Sequence, residues 1–112
     1  MSDLPVIITP AGEADARRID AWWRENRQAA PNLFLDEFAL AVSLIASFPA
    51  LGKRYRGAAV AGLRRYLLRS TRFHIYYVHT KTQVTILTIW GAVRGTTPDV
   101  QRLLDEFRSR KA

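Results

Sequence analysis

No acidic residue occurs between Glu37 and Asp99, and no cysteine occurs anywhere in the chain. The missing cysteine excludes disulfides, thiolate nucleophiles and cysteine-based zinc sites. With two histidines and an acid-free middle, metal ions find no ligand set there, so no metal or cofactor is expected. Long apolar runs are missing too: none approaches the roughly 20 residues that span a bilayer. The opening MSDLPVIITPAGE has neither a basic stretch nor a long apolar one, so secretion is not expected and the cytoplasm is the expected compartment. No Gly-rich phosphate loop, Ser-His-Asp arrangement or Pro/Gly/Ser linker interrupts the sequence, which is expected to form one domain over 1–112.

What fills the acid-free interval is basic: Lys53, Arg54, Arg56, Arg64, Arg65, Arg69, Arg72, Lys81 and Arg94. Residues 1–47 hold four basic and seven acidic residues, a balance of −3. Residues 48–112 hold thirteen and three, a balance of +10. Nine cations without local counter-charge repel one another, a cost that a purely solubilising role does not explain. Such asymmetry points to one working face for an anionic partner. The hydrophobic content of 48% fits a packed globule.

The patterning places that charge on a sheet. Val6, Ile7 and Ile8 read as an opening strand. Thr9 then serves as an N-cap, Pro10 takes the first helical position, and Glu13 and Asp15 sit near the positive end of the dipole. This helix runs to about Asn26, with Ala16, Ile19 and one of Trp22 or Trp23 on the core face. After the turn at Ala29-Ala30-Pro31-Asn32, Phe34, Phe38, Ala41 and Ile45 form the stripe of a second helix. Phe48-Pro49-Ala50-Leu51-Gly52 ends the helical hairpin, and Lys53 to Arg56 reads as a basic connector. Residues 63–70, 73–79 and 84–91 then form an antiparallel meander, the last run apolar on both sides. Thr97-Pro98-Asp99 opens a final helix with Val100, Leu103, Leu104 and Phe107 on one face. The order β-α-α-β-β-β-α is an α+β domain. Arg108, Arg110 and Lys111 at its end suit the helix dipole.

Taken in order, the pieces resemble the ParE/RelE-like toxins of type II toxin–antitoxin modules, the plasmid-stabilisation proteins. The resemblance rests on Phe48-Pro49-Ala50-Leu51-Gly52-Lys53-Arg54, Gly62-Leu63-Arg64-Arg65, Phe73-His74-Ile75-Tyr76-Tyr77-Val78, Val84-Thr85-Ile86-Leu87-Thr88-Ile89-Trp90, and Arg94-Gly95 with Pro98. It implies a cytoplasmic growth-arresting toxin neutralised by a cognate antitoxin with an acidic or amphipathic C-terminal segment. Family members act in two ways: RelE-like toxins cut ribosome-bound mRNA, and ParE-like toxins inhibit DNA gyrase.

The residues favour the second branch. RelE-like enzymes resemble one another in using strand lysines and arginines, an arginine after the last strand, and a tyrosine near the C-terminus. Arg65 and Leu67 fall where the lysines would stand, His74 where the strand arginine would stand, and Arg94 matches the later arginine. No tyrosine follows Tyr77. The lysine and late tyrosine that would move protons are therefore absent. The expectation is a gyrase inhibitor that acts by binding, with Lys53, Arg54, Arg56, Arg64, Arg65, Arg69, Arg72 and Arg94 as charged contacts for antitoxin or target. The alternative is a ribonuclease carried by Arg65, His74 and Arg94, with His74 as general base. A third possibility is a non-toxic module that keeps the fold and binds nucleic acid. Tyr66, Tyr76 and Tyr77 are expected to pack rather than stack bases, because Tyr76 and Tyr77 point to opposite faces.

Overall fold

Thr9 sets the first corner of the molecule. Its backbone is extended, its hydroxyl accepts a hydrogen bond from the Gly12 amide at 3.1 Å, and Pro10 follows in the first helical turn. The computed structural model describes residues 3–56, 60–92 and 97–111. In chain order these form β1 (Val6–Ile8), α1 (Pro10–Asn26), α2 (Leu33–Ser47), β2 (Lys53–Arg54), β3 (Arg64–Leu68), β4 (Phe73–His79), β5 (Val84–Gly91) and α3 (Val100–Lys111). The α+β architecture and element order expected from the sequence are those observed.

One sheet carries everything, with strand order β1-β5-β4-β3-β2. β3, β4 and β5 form the antiparallel meander, and β1 joins β5 in parallel, Val6 opposite Val84. The short reverse connections make the antiparallel pairs; the helical hairpin supplies the longer crossover that a parallel pair needs.

Each face of the sheet has its own cover. On one side the α1–α2 hairpin buries Ile19, Trp23, Phe34, Phe38, Ala41 and Ile45 against Leu68, Ile75, Tyr77, Val84, Ile86 and Ile89. On the other, Val100 and Leu104 of α3 close over Val60, Leu63, Tyr76 and Leu87. Tyr76 and Tyr77 therefore serve opposite cores, as strand alternation requires. Trp23 is the buried member of its pair and donates to the Ala30 carbonyl at 2.9 Å; Trp22 remains 46% exposed.

Three features differ from the sequence reading. Lys53-Arg54 is a short edge strand rather than a connector, paired antiparallel with Arg65 and Arg64. The first meander strand, β3, ends at Leu68 instead of Ser70. Glu37 of α2 accounts for that: its carboxylate accepts from the Ser70 amide at 2.9 Å, the Thr71 amide at 3.1 Å and the Thr71 hydroxyl at 2.7 Å. Those donors are turned out of the ladder and into a tight turn, with Arg72 at φ +67°. Finally, β5 carries a bulge. Tyr76 faces Thr88 and Tyr77 faces Ile86, so Leu87 is the extra residue. Asp15 of α1 closes it, accepting from the Thr88 hydroxyl and from the Ile89 amide at 3.2 Å.

Candidate functional site

The loop that delivers β2 to the sheet is built around one hydroxyl. Tyr77 Oη donates to the Pro49 carbonyl at 2.8 Å and accepts from the Gly52 amide at 2.8 Å. Burial pushes the Tyr77 phenol above its ordinary pKa, which keeps it protonated and able to donate. Gly52 is required by close approach. A Cβ there would lie 2.7 Å from the Tyr77 hydroxyl and 2.9 Å from the Arg65 carbonyl. Arg64 completes the clamp, its guanidinium donating to the Gly52 carbonyl at 2.8 Å and the Ala50 carbonyl at 3.3 Å.

This clamp fixes an unusual ladder. Lys53 stands directly opposite Arg65, and Arg54 opposite Arg64. Like charges in directly opposed positions destabilise a sheet. No carboxylate relieves them: the ion pairs among the described residues lie within α1, within α3 or between α3 and the preceding Asp99. Arg65 is steadied instead by an aromatic face, its guanidinium carbon 4.7 Å from the Tyr55 ring centroid.

Strand alternation divides the basic residues that the sequence grouped together. Arg64 shares the hairpin-facing side with Tyr66 and Leu68. Arg65 and Leu67 point to the other side, where they meet Tyr76 and His74 across the β3–β4 ladder. There Lys53, Arg65, Arg69 and His74 line one groove of about 430 Å³ together with Leu51, Gly52, Tyr66 and Leu67. Four of the sequence-predicted positions thus converge.

Among the described residues, the other predicted cations do not line that groove. Arg64 is engaged by the Gly52 loop. Arg54 and Arg56 are exposed beside it without lining it, and Arg72 occupies the β3–β4 turn. Arg94 lies outside the described residues.

His74 is half-buried, with its ring edge-on to Tyr76 at a centroid distance of 6.0 Å. Its pKa falls below 6.5 because burial disfavours the cation, and the neighbouring charges of Arg65 and Arg72 push the same way. The groove therefore offers fixed cations, a neutral imidazole and apolar walls. That suits an anionic ligand with apolar side groups. Tyr76 is 1% exposed and lies behind Arg65, so its hydroxyl is not presented to the groove. No metal-ligating cluster occurs among the described residues, and none of their helices is long and apolar enough to cross a membrane.

Sequence reasoning missed a second feature beside the groove. Leu40 and Leu44 of α2, with Glu37, Tyr66, Leu67, Leu68 and Arg69, line a smaller apolar cleft of about 120 Å³. Leu40 is 62% exposed. Its signal was present as a second stripe, Leu33-Glu37-Leu40-Leu44, displaced from the buried one by a single position.

Comparison with known proteins follows the same line. A family model described as ParE toxin of type II toxin-antitoxin system, parDE, matches residues 6–94. A solved structure of the chromosomal ParDE TA system from P. aeruginosa aligns with a TM-score of 0.61 at 19% identity, covering 79% of this chain and 95% of that one. At that identity the likeness is one of fold. No curated protein sequence matches the chain. By the extent of the family match, with β1 through β5 in the expected order, the chain belongs to the ParE toxins of type II toxin–antitoxin systems.

Proposed function

We propose that this chain arrests growth by binding DNA gyrase and stalling it in the cleaved-DNA state, and that a cognate antitoxin neutralises it by covering the basic sheet. The observation that carries this reading is the groove of Lys53, Arg65, Arg69 and His74. It is strongly cationic and apolar-walled. A surface of this kind suits the binding of an anionic partner with apolar side groups. An acidic, amphipathic antitoxin segment satisfies both its charge and its apolar walls, and explains why two cation–cation ladder pairs are tolerated. Arg65→Glu with Arg69→Glu is expected to abolish antitoxin capture; unchanged affinity in a titration would remove the groove as the antitoxin site.

A ribonuclease is the second reading, and one observation favours it: His74 is held neutral near pH 7, as a general base must be. Induction in cells separates the two. Gyrase inhibition predicts growth arrest with DNA breaks and intact ribosome-bound mRNA, unaffected by His74→Ala. Cleaved mRNA that is lost in His74→Ala would establish the ribonuclease.

A further inference from the structure

The chain holds three lysines, Lys53, Lys81 and Lys111, and Lys53 stands apart by its surroundings. Directly opposed residues of an antiparallel ladder share a face, so Lys53 of β2 lies beside Arg65 of β3. Leu67, two positions along, points the same way and is opposed by His74 of β4. The exposed Arg69 lines the same groove. A primary amine, two guanidinium groups and an imidazole thus share one groove, with Leu51 and Leu67 as apolar neighbours.

Arg65 is positioned in advance for an anion. Its guanidinium carbon lies 4.7 Å from the Tyr55 ring centroid, and its Nη1 donates to the Tyr76 hydroxyl at 3.5 Å. These contacts leave most of its N–H donors unspent. No ion pair among the described residues involves Lys53, Arg65 or Arg69. Two such guanidinium groups grip a phosphate dianion through charge-assisted hydrogen bonds. His74 is held neutral by burial first and then by Arg65 and Arg72, so a ring nitrogen can accept a proton.

We propose that Lys53 is an acylation site that takes its acyl group from a small acyl phosphate bound by Arg65 and Arg69. In such a donor the phosphate and the carbonyl carbon share an oxygen, so gripping the first places the second beside the amine. In an acyl thioester of a nucleotide cofactor the phosphates lie far from the acyl carbon, and the same grip would not aim it. The Lys53 ammonium first gives one proton to water. Nζ then bonds to the carbonyl carbon as the carbon–oxygen bond to phosphate breaks, and that oxygen keeps the electron pair. His74 accepts the second proton from Nζ and passes it to the departing group, which leaves as hydrogen phosphate. The amide product carries no charge, so acylation removes the Lys53–Arg65 repulsion. The proposal is independent of whether gyrase is the target.

Lys81 supplies the internal comparison. It lines a separate cleft of about 360 Å³ with His79, and no arginine is among the described residues of that lining. An amine near an imidazole occurs at both places; the groove adds the arginines.

The test incubates the full chain with acetyl phosphate and follows acetylation of each lysine by mass spectrometry of its peptides. Lys53 is expected to react about tenfold or more faster than Lys81, at a rate that saturates in acetyl phosphate and falls when inorganic phosphate competes. The neutral reagent N-acetoxysuccinimide, which offers no phosphate to grip, is expected to acetylate the two at similar rates. Arg69→Gln and His74→Gln, each confirmed folded by circular dichroism, are expected to slow Lys53 about tenfold and leave Lys81 as it was. Equal rates at Lys53 and Lys81, a Lys53 rate that inorganic phosphate or either substitution leaves unchanged, or the same preference with the neutral reagent would each overturn the proposal.

Discussion

Lys53 and Arg65 face each other across the β2–β3 ladder, cation to cation, with no carboxylate among the described residues paired to either. The arrangement costs stability in the isolated chain, and an anion from outside would relieve it. It follows that Lys53→Glu should raise stability, by about 0.2–1 kcal/mol, because it pairs Arg65 while keeping the Tyr55 stacking. The same change should weaken binding of any acidic partner. Thermal unfolding reads the first effect and a titration the second; a lowered Tm would show that the ladder pair is not a strained one.

The Tyr77 hydroxyl holds the loop that brings β2 to the sheet. Tyr77→Phe strands the Gly52 amide and the Pro49 carbonyl in a buried place, and should cost about 1–3 kcal/mol. Gly52→Ala should cost at least as much. Its new methyl meets not only the phenol but the Arg65 carbonyl at 2.9 Å, which is backbone and does not move aside. Denaturant unfolding of both variants checks this. A Gly52→Ala protein of unchanged midpoint would contradict the close approach.

Glu37 joins α2 to the β3–β4 turn, its one carboxylate accepting three hydrogen bonds from Ser70 and Thr71. Glu37→Ala is expected to destabilise the protein by about 1–3 kcal/mol and to speed hydrogen exchange at Ser70 and Thr71. Unchanged protection of those two amides would remove the pin from the account.

His74 makes stability depend on pH. Its folded pKa lies below 6.5, lowered first by burial and then by Arg65 and Arg72. Between the folded and unfolded values the unfolded chain holds more protons, so stability rises with pH across that window. It is therefore full above about 6.5 and is lost as pH falls through the folded value. His74→Gln should flatten this portion of the profile. An acidic peptide in the groove reverses the local field, so its binding should strengthen on mild acidification in the native chain and not in His74→Gln.

Periodicity carried most of the fold into view. Phe34, Phe38, Ala41 and Ile45 announced the buried face of α2, and the alternation in β4 sent Tyr76 and Tyr77 to opposite cores. What escaped was set by long-range contacts. Glu37 and Asp15 act on donors 33 to 74 positions away, which no local pattern encodes. β2 was invisible because two adjacent cations in a stretch ending in Gly57 look like a solvated connector. The basic residues were legible as a group, but their division was not. It depends on the β2–β3 register, which sends Arg64 to the Gly52 loop and Arg65 to the groove.

Gyrase inhibition is the central claim. The purified, antitoxin-free chain should be added to gyrase with relaxed plasmid and ATP, scoring both supercoiling and linear DNA. Lost supercoiling with linear product accumulating is the predicted result. Normal supercoiling and no linear DNA, with folded protein in excess over gyrase, would contradict it.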